Sequence, residues 1–203
     1  MLARNQVIRA KQLLVEGRSA EVLFEALLNR LTLSDIQIQN FGSKDELPGF
    51  LKALSSAPGF REQVTSVGII RDAETDARAA FQSVCGALRG AGLAVSAQVI
   101  VPAGQSPQVR VLILPDATMP GMLETICLRS VAADPVLECI EQYFKCVQQC
   151  TVSLPNNMDK ARVQAFLASR SRPGLLLGQA ARAGYWPWDS VAFDALKQFL
   201  RLL

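Results

Sequence analysis

Histidine is absent from the 203-residue sequence. A Ser-His-Asp triad, a Cys-His pair, a histidine general base and His-ligated zinc are all excluded with it. Aromatic residues are scarce, at 6%, too few for a base-stacking platform to be the main binding device. No run approaches the ~20 apolar residues needed to cross a bilayer, so no membrane is expected as a partner. The opening residues MLARNQVIRAKQLLVEG lack the apolar core and cleavage site of a secretion signal. Cysteine comes as an odd set of five, Cys85, Cys127, Cys139, Cys146 and Cys150, with no CxxC pair. Zinc without histidine needs more thiolates at closer spacing, so the expectation is five reduced, buried core thiols in a cytoplasmic protein. Catalysis is left to carboxylates, Lys, Arg, Cys, Tyr, Ser, or a metal held by oxygen.

Half of the residues are hydrophobic and 19% are charged, with a formal net charge of +3. That composition supplies one sizeable core and argues against global disorder. Short apolar runs alternate with helical patterns over the first part of the chain. Lys11–Glu16, Ile36–Phe41 and Val64–Arg71 read as strands. Helices are expected from a Ser19 cap onward, near Asp45–Leu54, and over Ala77–Arg89 behind a Thr75 or Asp76 cap. Val95–Val101 and Val109–Leu114 read as two more strands, which a loop holding Gly104 and Pro107 can join as a hairpin. The fold class expected is α/β: a mainly parallel, Rossmann-like sheet with helices on both faces. The hairpin would make the sheet mixed.

After Pro115-Asp116 the pattern turns helical: Met122–Val131, Val136–Cys150, Met158–Ser169, a short turn over Leu175–Arg182, and an amphipathic tail, Phe193–Leu203. The expected organisation is a core over 1–132 and a helical section over 133–203 packed on it as one compact unit, with Trp186, Pro187 and Trp188 as the packing residues. Residues 158–203 carry a net +4, against −1 for 1–157. A basic section beside an acid-bearing core suits a polyanion-handling protein, and equally an ordinary solvated surface.

In open α/β sheets, ligands bind outside the carboxyl ends of the strands. Glu16 falls there in VEG, Asp72 and Glu74 in IIRDAE, and Asp116 in LILPD, with Glu124 eight residues on in GMLE. Helix capping, turn capping and surface solvation are the bland roles for most of them. Glu16 resists that reading, because it directly ends an apolar strand, where a carboxylate is costly unless paired. Asp72 and Glu74, two apart in an extended segment, can point the same way. Clustered carboxylates repel, and a hard divalent cation such as Mg²⁺ cancels that repulsion. Gly42-Ser43-Lys44 is too short for a Walker A loop.

The order VEG, IIRDAE, LILPD with GMLE, and a late GYW resembles the Toprim domain of topoisomerases, bacterial primases and OLD-family nucleases. The resemblance is closest to a small bacterial family of stand-alone Toprim-like proteins. It implies a Mg²⁺- or Mn²⁺-dependent phosphodiester-acting enzyme of nuclease type. Glu16 would act as general acid/base or complete the metal site, and Asp72 and Glu74 would hold the metal. Glu124, with Asp116, would serve a second metal. Lys160 would stabilise phosphate charge, and Lys160 and Arg162 would face nucleic acid. Nucleic acid is the partner such an enzyme would take, and a partner protein such as an ATPase is left open. Two departures, Glu74 where an Asp is usual and Arg18-Ser19-Ala20 before Glu21, keep a second reading open: a non-catalytic Toprim-like module that binds nucleic acid or a partner. Topoisomerase and primase activities, which need strand-gating or template-handling domains, are not expected of these 203 residues.

Overall fold

A computed structural model describes residues 6–95 and 97–203. Four strands form one sheet in the order β2-β1-β3-β4: β1 (Lys11–Val15), β2 (Ile36–Asn40), β3 (Ser66–Asp72) and β4 (Gln108–Leu114). Every pairing is parallel. The register runs from Lys11↔Ile36 to Val15↔Asn40 on one side of β1 and from Lys11↔Ser66 to Leu14↔Ile69 on the other. Ser66↔Gln108 to Asp72↔Leu114 joins β3 to β4. The chain leaves β1 for β2 on one side and later returns to place β3 on the other, so the strand order reverses between β1 and β3. That reversal opens a crevice at the carboxyl ends of the two strands.

Alternation along the strands builds two cores. Leu14, Val67, Ile69, Val109, Val111 and Ile113 meet α2 (Leu47–Ser55), α3 (Phe60–Gln63) and α4 (Ala77–Gly90) on one face. Leu13, Val15, Ile70, Leu112 and Leu114 turn to the other. There they meet α1 (Gly17–Leu31), α5 (Leu123–Ser130), α6 (Val136–Cys150), α7 (Met158–Ala168), α8 (Leu177–Arg182) and α9 (Asp194–Arg201). The C-terminal helices therefore share a core with β1 and β3. Trp186 is fully buried, stacks on Phe166 at 5.6 Å and donates Nε1–H to the Leu177 carbonyl at 3.1 Å. Trp188 tilts against Phe193 at 4.8 Å. Among the described residues, no helix is long and apolar enough to cross a membrane.

Three expectations are corrected. Val95–Val101, of which Ser96 lies outside the described residues, is not a strand. Ile100 there has φ 69°, a left-handed backbone that leaves the extended region. The Ile100 amide reaches the Val111 carbonyl at 2.8 Å, and Ala103 and Val109 exchange hydrogen bonds, so the segment lines the β4 edge without forming a ladder. The sheet is consequently parallel throughout and not mixed. Ser19 is not the cap of α1, which begins at Gly17 (φ 77°), directly after Glu16. The thiols divide as well: all five cysteines are free, but Cys139, Cys146 and Cys150 are exposed on α6, and only Cys85 and Cys127 are buried. Cysteine on an amphipathic helix here follows the solvent face, because Ile140 and Phe144 supply the buried one.

One glycine joins the two parts of the core. A Cβ on Gly178 of α8 would lie 2.5 Å from the Ser19 carbonyl oxygen and 2.7 Å from Val22 Cβ, both on α1. Gly178→Ala should therefore destabilise the protein by about 1–3 kcal/mol, the usual cost of forcing packed elements apart. Chemical denaturation checks it, and an unchanged midpoint would show that α8 yields freely.

Candidate active site

Each strand-to-helix turn at this end of the sheet is set by local chemistry. Gly17 takes the left-handed conformation that lets β1 pass straight into α1. Asn40, the last residue of β2, accepts at Oδ1 from the Gly17 amide (3.0 Å) and the Gly42 amide (2.8 Å), tying the ends of β1 and β2 together. Asp76 caps α4 by accepting from the Ala79 amide at 3.0 Å. Asn157 caps α7 by accepting from the Lys160 amide at 2.9 Å. Thr125 of α5 donates its hydroxyl to Asp159 of α7, which docks the start of α7 beside the start of α5.

These turns surround a cleft of about 1060 Å³ at the β1/β3 crevice. Glu16, Asp72, Glu74, Glu124 and Asp159 line it, with Arg18 and Lys160 among the cations. Asp72 ends β3 at the floor, and its Oδ1 accepts from the Leu123 amide, the first of α5, at 3.0 Å. Burial, then the charges of Glu124 and Glu16, push its carboxyl up to about 7; the Leu123 hydrogen bond and Lys160 only partly offset them. Glu16 is also raised, by burial first, with Glu74 adding to it and Arg71 and the Lys44 amide opposing. Glu124 is raised by burial, with Asp159 adding and its own backbone amide and Lys160 opposing. The acids thus fall into two overlapping groups. Asp72 stands with Glu124 and Glu16, close to Lys160, while Glu74 stands with Glu16, close to Lys44.

Several expected positions change. Glu74 is not in an extended segment: its φ is 55°, and its backbone exchanges 2.8 Å hydrogen bonds with Gly121. The alternation that would aim Asp72 and Glu74 alike ends with β3 at Asp72. Asp116 stands outside the cleft. Its Oδ1 accepts from the Thr118 amide (2.9 Å), the Thr118 hydroxyl (2.8 Å) and the Met119 amide (2.9 Å), and Arg129 lies 3.9 Å from Oδ2. Burial raises that carboxyl, but the bonds from Thr118 and Met119 and the nearby Arg129 outweigh it and hold it below the ordinary range. Its Oδ1 is thus taken up in the turn before Pro120, and the side chain does not line the cleft with the other acids. Arg162 is likewise committed, to Glu141 at 2.6 and 3.1 Å and to Asp159 at 3.6 Å, and does not line the cleft. Among the described residues, no three Asp, Glu or Cys side chains already enclose a space fit for a metal ion.

The sequence reading passed over Asp159, Lys44 and Asn40. Lys44 and Asn40 had a usable signal, since Asn40 is the last residue of β2 and Lys44 lies four residues on, at the same end of the sheet as Glu16. Asp159 had none, because its place depends on how α7 docks against α5.

Residues 10–203 match the model of a family described as a protein of unknown function (DUF3226). The chain belongs to the DUF3226 family. The matched span takes in every acid of the cleft together with the C-terminal helices that support it. No curated protein and no solved structure matches the chain. The family's description carries no activity.

Proposed function

We propose that the protein is a Mg²⁺- or Mn²⁺-dependent phosphodiester-acting enzyme, a nuclease of Toprim type, working on nucleic acid in the cytoplasm. The observation that carries this reading is the trio Glu16, Asp72 and Glu124, brought from the turn after β1, the end of β3 and α5 to one crevice that Lys160 also lines. Packing like charges into a low-dielectric floor costs stability, and a hard cation is the ligand that recovers it. Mg²⁺ keeps most of its waters and needs only one or two carboxylates alongside substrate phosphate. An incomplete protein shell therefore fits it, where it would not fit a caged ion. All the donors are oxygens, which suits Mg²⁺ or Mn²⁺ over softer metals. The five free thiols agree with a reducing compartment.

Asp72, with Glu16 or Glu124, would hold the ion. When bound, the ion supplies charge neutralisation at a phosphate and acidifies its water. Glu16, raised by burial, is suited to take a proton from the attacking water. Lys160 is exposed at the start of α7 and offers an ammonium to phosphate oxygen. Gly17, Arg18, Ser19 and Ala20 in the first turn of α1 line the same cleft, and Glu16, its N-cap residue, gives that turn no side-chain hydrogen bond.

Thermal unfolding against metal concentration tests the reading. The melting temperature should rise with millimolar Mg²⁺ or Mn²⁺, as linkage to a folded-state site requires, and Ca²⁺ or Na⁺ at matched ionic strength should do less. A flat response to both metals rejects the metal site and leaves the non-catalytic binding module as the better reading.

A further inference from the structure

One residue outside the expected acid set touches two of its members. Lys44 lies just beyond β2. Its backbone amide donates to Glu16 Oε1 at 3.1 Å, and its ammonium contacts Glu74 Oε2 at 2.6 Å. One residue thus links the acid after β1, through its backbone amide, to the acid after β3, through its ammonium, across the point where strand order reverses. The loop is shaped for this, since the Ser43 amide and hydroxyl both bond Glu46 Oε2, at 2.8 and 3.1 Å. Glu74 is presented from a left-handed backbone pinned to Gly121.

Stability does not account for the pair. Both side chains are more than 40% exposed, and such pairs contribute roughly 0–1 kcal/mol. The contact is cheap to break, yet it places a positive charge between carboxylates that otherwise repel.

We propose that Lys44 is the resident cation at the Glu16–Glu74 edge of the cleft: a divalent ion that Asp72 holds with Glu16 displaces its ammonium from Glu74, and the freed ammonium then takes an oxyanion of the phosphate class at the cleft mouth. This rests on the metal-dependent reading above and adds a coupling to it. Metal and phosphate reinforce each other, because the metal removes the partner that kept Lys44 from phosphate. By reciprocity, an oxyanion that engages Lys44 must also tighten metal binding. Loading without substrate is penalised, and loading with substrate is not.

The test is Mn²⁺ affinity, by calorimetry and electron paramagnetic resonance, in the wild type, Lys44→Met and Lys44→Arg. Sulfate serves as the oxyanion probe because it leaves Mn²⁺ in solution, with chloride holding ionic strength constant. Lys44→Met should bind Mn²⁺ about 2–5-fold more tightly, the fold-change that a surface ion pair allows. Lys44→Arg, which keeps the charge, should stay at the wild-type value. Sulfate should tighten Mn²⁺ binding in the wild type and leave Lys44→Met unchanged. Uptake by Lys44→Met alone would support the proposal in its strongest form. Equal or weaker affinity in Lys44→Met overturns it while the metal site stands, and equal sulfate tightening in both proteins overturns the phosphate half. No Mn²⁺ uptake by either protein overturns this proposal and the reading beneath it.

Discussion

Asp72→Asn should raise the melting temperature of the metal-free protein at pH 8 and leave it nearly unchanged at pH 4. The folded carboxyl holds its proton to about pH 7, against an ordinary value of 3.8. Between those values the folded state binds more protons than the unfolded state, so stability falls as pH rises through that window and levels off above it. The limiting cost at pH 8 is about 4 kcal/mol, which for a chain of this size corresponds to roughly 5–15 °C. Asparagine keeps an acceptor for the Leu123 amide and sets amide protons against Glu16 and Glu124 in place of a third charge. Scanning calorimetry of both proteins from pH 4 to pH 8 isolates this one group. If Asp72 is only the cap of α5, the variant should instead lose up to ~1 kcal/mol, equally at both ends of the range.

Glu16→Gln should abolish metal-dependent cleavage without unfolding the protein. A positioned general base contributes about 10²–10⁴-fold, and glutamine cannot take the proton. The fold should survive, because the glutamine oxygen can still accept from the Lys44 amide that bonds Glu16 at 3.1 Å. The wild-type rate should climb with pH above the ordinary carboxylate range, since burial raises the pKa of Glu16 and only the ionised form can act as base. Labelled single-stranded and duplex DNA and RNA with Mn²⁺ provide the assay. A Glu16→Gln protein that cuts at the wild-type rate would remove Glu16 from the chemistry.

The strands of the sheet were legible because β1, β3 and β4 are short apolar runs and β2 alternates. Helices of the C-terminal section were legible from their period and from the Asn157 cap. Val95–Val101 misled because its apolar composition carries no sign of the left-handed turn at Ile100, which tertiary contacts with β4 hold in place. The carboxyl-end rule found Glu16, Asp72, Glu74 and Glu124 without help from the structure. It misplaced Asp116 because a carboxylate bonded within its own turn and one facing a cleft look alike in sequence. Arg162 misled for a similar reason: its partner Glu141 lies on another helix, and composition does not pair them.

The strand order also fixes when the cleft's charges can meet. β1 is made first yet ends up inside the sheet, with β2 on one side and β3 on the other. Glu16 stays away from Asp72 until the chain has closed the long crossover from β1 to β3. Lys160 and Asp159 wait for about ninety further residues and for α7 to dock on α5. Closing such non-local contacts is the slow part of folding a parallel sheet. The mutual repulsion of the acids is therefore felt late, after the apolar strands have committed to their neighbours. A nucleus built on β1, α1 and β2 alone would hold Glu16 without the cleft acids that repel it.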